Sequence, residues 1–317
     1  ESMKKIKLFG GCVVLWAGIW VFLGLFLPST GGLPLKTRYE FWRAQVQEVR
    51  KEGWHGYLVD RCSGTNPSIS ECACVALVHD LGDQGSTWDQ VLLAPPAEWT
   101  HRNVSSPLRI LAVDLPGFGQ SLRASDSTRY RVRHQAQDLQ KFLSSYCASW
   151  IVVGNGWGGW IATWLALESP QMIHRLLLLN TQGMQADTHR TEDLLSAATV
   201  ERMKEFVRKA YYRSQDISES MYIDLVQQMQ TKPIRQIVQA QTPEDRLDTF
   251  LPALRPLTLF AWGKEDQLNP LDLGRQMKVS VPSAGWREFP ECGHFPQKEC
   301  PIVVIQSIAD VIRSGAY

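Results

Sequence analysis

The sequence predicts an α/β fold: a mostly parallel sheet with helices on both faces and a helical cap, preceded by an N-terminal hydrophobic helix. Three observations predict it. From about residue 56 onward, short apolar runs alternate with helical patterns, as in a parallel sheet covered on both sides. Residues 182–251 are polar, helical in pattern and short of strands, too long for one plain crossover. Before all this, Leu8 to Leu27 is an almost wholly apolar run without a charge.

That run is preceded by Lys4, Lys5 and Lys7, contains Trp16 and Trp20, and stops at Pro28. Its length suits a bilayer-crossing helix of roughly 20 residues. A secretory signal has a similar layout, although Ser29-Thr30-Gly31 is a poor cleavage site. The expectation is residues 1–30 as a signal anchor or signal peptide, placing the rest outside the cytoplasm, either membrane-anchored or secreted. Residues 31–54 then form a linker or leading helix.

The core follows in order. Gly56 to Asp60 reads as an early strand, Cys74 to His79 as a buried strand ended by Gly82, and Arg109 to Val113 as the next. Residues 132–148 look helical, 150–153 form a strand, and Gly159 to Glu168 is helical again. Strands at Leu176–Leu179, Leu257–Ala261 and Gly285–Phe289 precede a helix from Ile302 to Ile312. The core thus divides into 55–181 and 252–317, with the cap at 182–251 between them. Within the cap, Thr191–Tyr212 and Ser218–Gln230 carry helical spacing.

Composition narrows the function. Lys+Arg is 33 against 32 Asp+Glu, which gives no reason to expect a nucleic-acid partner. Beyond Cys12, six cysteines remain, an even number that permits a disulfide set. Cys292 with Cys300, and Cys62 with Cys72 or Cys74, are the pairs to test, against free buried thiols as the alternative. Asn103-Val104-Ser105 is a glycosylation sequon, relevant only to a secreted eukaryotic chain. The sequence carries no nicotinamide, flavin or metal fingerprint, so no cofactor is expected.

The strongest local feature is Val153-Gly154-Asn155-Gly156-Trp157-Gly158-Gly159, between a strand and a helix. Small residues let backbones approach closely at such a turn. Around it, in chain order, stand His79-Asp80-Leu81-Gly82, Asp114-Leu115-Pro116-Gly117-Phe118-Gly119-Gln120-Ser121, Gly263-Lys264-Glu265-Asp266 and Gly293-His294-Phe295, each after a strand. Together these resemble the α/β-hydrolase superfamily, especially its capped esterases, carbon–carbon hydrolases and epoxide hydrolases. The resemblance spans roughly residues 55–315. It implies an acid at Asp266, a base at His294, oxyanion-hole amides at Leu81 and Trp157, and a nucleophile at position 156.

Position 156 is a glycine, which supplies no nucleophile. Asp80 is a second departure, since the family usually places glycine after this histidine. It either points inward, where its charge would oppose a developing oxyanion, or turns to solvent, the slightly favoured orientation. The sequence therefore favours a protein lacking the usual nucleophile, a natural pseudoenzyme or a Ser-to-Gly knockout, binding a small apolar ligand or a protein partner. The alternative is a serine-hydrolase-type esterase or carbon-bond hydrolase that retains slow hydrolysis by water activated at His294. An interaction protein organised at a membrane surface is a third class. Trp157 and Trp160 are candidates for a pocket wall, or equally for packing.

Overall fold

The computed structural model describes residues 33–62, 72–104, 107–185, 195, 197–213 and 217–313. The chain enters through helix α1 (Leu35–Arg43) and a hairpin of β1 (Gln47–Lys51) and β2 (Trp54–Asp60). Then come β3 (Ala73–Val78), β4 (Leu108–Asp114), α2 (Val132–Leu143), β5 (Trp150–Asn155), α3 (Trp157–Glu168) and β6 (Ile173–Leu179). Among the described residues, three cap helices follow: α4 (Val200–Ala210), α5 (Glu219–Thr231) and α6 (Ile234–Ala240). The chain closes with β7 (Leu257–Gly263), α7 (Leu271–Ser280), β8 (Gly285–Phe289) and α8 (Pro301–Arg313).

All eight strands join one sheet in the order β1-β2-β4-β3-β5-β6-β7-β8. The β1–β2 and β2–β4 pairs are antiparallel and the rest are parallel. The interior strands are apolar on both faces because both faces are covered. Along β3, Cys74, Ala76 and Val78 enter the core on one side, while Ala73, Val75 and Leu77 enter the core on the other. Each face of the sheet thus has its own apolar layer. The reversal of strand order at β3–β5 opens a crevice at the carboxyl ends of these strands, where such sheets place ligands.

The cap is tied to the core by a polar clamp. Arg131 makes two bonds to the Asp245 carboxylate, at 3.0 and 3.1 Å. The Asp245 carbonyl accepts from the indoles of Trp160 (2.8 Å) and Trp164 (2.6 Å) on α3. Trp160 therefore serves at least as an anchor for the chain leaving the cap. Three disulfides join Cys62–Cys72, Cys74–Cys147 and Cys292–Cys300.

Two expectations are corrected. The fold is a mixed, mostly parallel eight-stranded sheet with flanking and cap helices, and among the described residues a membrane-spanning lead helix is not part of it. Among the described residues no helix is long and apolar enough to cross a membrane. No described helix thus supports the expected anchor, membrane partner or membrane-anchored localisation; the run Leu8 to Leu27, on which they rest, lies outside the described residues. Further along, the stretch 31–54, expected as a linker or leading helix, is helical among its described residues over Leu35–Arg43. It turns at Gln45 (φ 58°) and becomes β1, an edge strand whose polar residues face largely outward. The turn Glu52-Gly53, with φ 50° and 84°, supplies the two positive φ values that a tight hairpin needs.

Candidate active site

The site is built at the β5–α3 turn. Gly156 sits at its tip with φ 53° and ψ −112°, a conformation natural to glycine. The turn presses on the neighbouring strand: a Cβ on Gly158 would lie 2.5 Å from the His79 carbonyl oxygen, so the position admits no side chain without backbone movement. This close approach brings the loop after β3 directly over the turn.

Asp80, in that loop, is fully buried and points inward. This overturns the slight preference for a solvent-facing side chain. Its Oδ1 accepts from the Trp157 backbone N–H at 2.7 Å. Its Oδ2 lies 3.2 Å from His294 Nε2. A Cβ on Gly156 would lie 2.5 Å from Asp80 Cγ and closer still to Oδ1. The carboxylate thus fills the space beside the turn tip and engages the first N–H of α3.

His294 is fully buried and bridges two carboxylates. Its Nδ1 is 2.7 Å from Asp266 Oδ2. Asp266 is held in turn by the Leu268 and Asn269 backbone N–H groups on Oδ1 (2.8 and 2.9 Å) and by Asn180 Nδ2 on Oδ2 (2.6 Å). Two ring contacts at once are satisfied by an imidazolium donating to both carboxylates, or by a neutral ring that accepts a proton from Asp80.

Several supports were not singled out by the sequence. Asn155 Nδ2 donates to the carbonyls of Leu179 (3.2 Å) and His294 (3.0 Å), while its Oδ1 accepts from Gln297 at 3.1 Å. Glu299 accepts from the N–H groups of Gly293 (2.9 Å) and Tyr212 (2.8 Å). The His294 N–H donates to the Ala210 carbonyl at 2.7 Å, which fixes the histidine loop against the end of cap helix α4. The Asn180 signal was legible: a polar residue ending the run Leu176 to Leu179, at the strand end where ligands gather.

His79 secures the Asp80 loop. Its Nε2 accepts from the Leu115 N–H at 2.9 Å, which leaves Nδ1–H to donate to the Asp80 carbonyl at 2.7 Å. That is the neutral ring, and burial lowers its pKa accordingly. Leu81 is buried beside it. Ser121 is occupied elsewhere: its hydroxyl donates to the Asp114 carbonyl (2.7 Å) and accepts from the His55 N–H (2.8 Å). The structure therefore brings together Gly156, Trp157, Asp80, His294 and Asp266, and leaves Ser121 in the turn after β4.

A cavity of about 490 Å³ opens between α4, α5 and the loops after β3 and β8. Met203, Phe206, Val207, Leu225 and Met229 form its cap side; Leu81 and Phe295 form its core side. Those last two are the chain neighbours of Asp80 and His294. At its rim Lys298 pairs with Asp83 at 3.4 Å. Burial opposes the Lys298 charge, but Asp83, Tyr211 and Asp89 together outweigh it and the net pKa is raised. Among the described residues, no group of three or more His, Cys, Asp and Glu side chains is arranged to hold a metal ion.

The chain matches the model of the "Alpha/beta hydrolase family" over residues 75–306. A 2-hydroxy-6-oxononadienedioate/2-hydroxy-6-oxononatrienedioate hydrolase from Pseudomonas sp is 24% identical over 244 residues, covering 71% of this chain and 82% of the relative. A 2-hydroxymuconate semialdehyde hydrolase from Pseudomonas putida is 25% identical over 248 residues, covering 69% and 85%. Among solved structures, a bacterial membrane phospholipase A superposes with a TM-score of 0.71 at 21% identity, covering 98% of this chain and 100% of that one. A meta-cleavage product hydrolase from Pseudomonas fluorescens gives 0.65 at 18%, covering 84% and 96%. The named relatives are hydrolases. This corrects the sequence reading of a pseudoenzyme that serves to bind an apolar ligand or protein partner, and favours its alternative.

Proposed function

Because the chain belongs to the alpha/beta hydrolase family, we propose that it is a hydrolase of small, largely apolar substrates, cleaving an ester or related carbon bond. One observation carries this reading: His294 is held by Asp266 at 2.7 Å and faces the β5–α3 turn, the arrangement of a positioned general base. In this reading Gly156 stands where the family's serine would, so the serine acyl-enzyme route is closed and the base acts with other groups of the site. The apolar cavity supplies the binding volume, and ligand pockets commonly range over about 300–1,000 Å³.

His294 supplies and removes the proton. Asp266 fixes the ring through Nδ1 and stabilises the imidazolium, and Asn180 keeps the carboxylate oxygen aimed at the ring. The Trp157 N–H, the donor next to the turn tip, is held by Asp80 Oδ1 at 2.7 Å, so Asp80 must yield it before it can serve a developing negative charge. The test is hydrolysis of a panel of short and medium acyl esters, and of vinylogous diketones for carbon–carbon cleavage, by the purified protein. Turnover that falls at least about 100-fold in His294→Ala, as expected for a general base, supports the reading. Turnover unchanged in that variant overturns it.

A further inference from the structure

We infer that the apolar cavity and a charged chamber beside it form one binding site for a single-chain anionic amphiphile, its chain in the first and its carboxylate head at Lys232 in the second. This deepens the hydrolase reading above by naming the ligand class of its cavity, and it rests on that reading only where the ligand is called a substrate.

The second chamber holds about 560 Å³ and is bounded by the entry to α1, the loop after β3 and the end of α5. It shares Gly82, Asp83, Leu225, Gln228 and Lys298 with the apolar cavity, so the two meet along one wall. On one side of that wall stand Met203, Phe206, Val207 and Met229; on the other stand Ser86, Thr87, Gln90 and Lys232. A ligand that fills both needs two ends of unlike character. A plain hydrocarbon would bury the polar chamber groups without partners, and a small polar solute would leave the apolar cavity unused.

The sign of the head follows from Lys232. This residue links α5 to α6 and is half-buried. Its ammonium donates to the Gly82 carbonyl and lies 5.9 Å from the centre of the Phe118 ring. An ammonium has three N–H donors, and among the described residues no carboxylate forms an ion pair with this one. Burial lowers its pKa; Asp83 opposes that from a distance, and Lys298 adds to it. The chamber's two carboxylates are turned to other donors. Asp83 pairs with Lys298 at 3.4 Å and accepts from the Gln84 N–H at 3.0 Å, while Asp89 accepts from the Gln90 N–H at 2.7 Å. A half-buried cation short of counter-charge is satisfied by an incoming anion. A carboxylate head takes the remaining Lys232 donors, with the Gln228 amide at the shared wall as a second donor. The chain then passes Leu225 toward Leu81 and Phe295 on the core side of the apolar cavity.

The experiment titrates the full chain calorimetrically with sodium decanoate, undecanoate and dodecanoate. 1-Dodecanol and dodecyltrimethylammonium serve as neutral and cationic analogues, all below micelle formation. Dodecanoate should bind at least about tenfold tighter than either analogue, as one charge-assisted hydrogen bond allows. Each added methylene should tighten carboxylate binding about fourfold, from the transfer free energy of a buried CH₂. Lys232→Met should weaken dodecanoate at least about tenfold and leave dodecanol unchanged, while Lys232→Arg retains the affinity. Asp83→Asn frees Lys298 for the head and should tighten dodecanoate. Thermal unfolding shows whether each variant is folded. Equal affinity for dodecanoate and dodecanol, or dodecanoate unweakened in folded Lys232→Met, overturns the anionic head. Should Lys232→Met fail to fold, Asp83→Asn decides, and affinity not raised there overturns the assignment. No binding of any carboxylate to the wild-type protein overturns the site. Dodecanoate should also raise KM for the ester panel without lowering kcat. Ester turnover that depends on His294 but ignores saturating dodecanoate overturns this inference and leaves the hydrolase reading standing. Lys232-dependent binding with no turnover of esters or diketones upholds the site and overturns the hydrolase reading.

Discussion

Replacing Gly156 with serine should damage this protein before it adds chemistry. The new Cβ would sit 2.5 Å from Asp80 Cγ, where ordinary contacts begin near 3.4 Å. Asp80 would have to withdraw by nearly an ångström, breaking its 2.7 Å bond to the Trp157 N–H and its contact with His294. A hydrogen bond to a charged group contributes about 1.5–3 kcal/mol. Placing a side chain at φ 53° adds roughly 1–2 kcal/mol. The expected loss is therefore on the order of 2.5–5 kcal/mol. Denaturant unfolding of wild type, Gly156→Ser, Asp80→Gly and the double variant would measure it. The double variant should be less destabilised than the sum of the single ones by about 2 kcal/mol, because the clash is then relieved. Only the double variant offers a new serine both the space and the unoccupied Trp157 N–H that ester chemistry needs. A Gly156→Ser protein as stable as wild type, or strict additivity, would refute the steric argument.

Other consequences can be measured alongside. Asn180→Ala removes a 2.6 Å bond to Asp266 and should lower kcat with little change in KM, together with about 1–3 kcal/mol of stability; a rise in KM alone would contradict this. Arg131→Ala leaves the buried Asp245 carboxylate without its bidentate partner and should destabilise by about 2–3 kcal/mol, less than for a fully buried pair because the guanidinium side chain is 30% exposed. Replacing the Cys74–Cys147 pair by alanines opens a link across 73 residues and should cost about 4.4 kcal/mol by chain entropy, against about 2.6 kcal/mol for Cys292–Cys300; unfolding curves that reverse this order would count against the entropic account. His79 has a folded pKa lowered by burial, so the unfolded chain binds the extra proton as pH falls past about 6.5. Stability should be fully present above that value and decline below it, with a shallower decline in His79→Asn, read from unfolding at pH 5 to 7.5.

What the sequence disclosed depended on how local the cause was. The strands β3 and β5 to β7 are apolar on both faces, and such runs announce themselves without any tertiary information. The glycines around 156 mark a close approach that only small residues permit, so the turn was equally legible. β1 was hidden because an edge strand buries little and needs no apolar alternation; its real signal was the Glu52-Gly53 turn. The direction of Asp80 was hidden for another reason. Its hydrogen-bond partners lie 77 and 214 residues further along the chain, and nothing in its neighbours fixes which way it faces. Residues such as Asn155 and Glu299 likewise serve backbone groups brought near only by folding.

The bond from the Trp157 N–H to Asp80 also concerns how α3 begins. The first N–H groups of a helix lack partners within it, and a residue just before the helix normally offers a side-chain oxygen. Gly156 has none to offer. Asp80 acts as that cap in trans, its negative charge set against the positive end of the helix dipole, from a loop 77 residues away in the chain. The first turn of α3 is therefore completed only once β3 and β5 lie side by side, which makes the start of this helix a late and long-range product of folding instead of a local one.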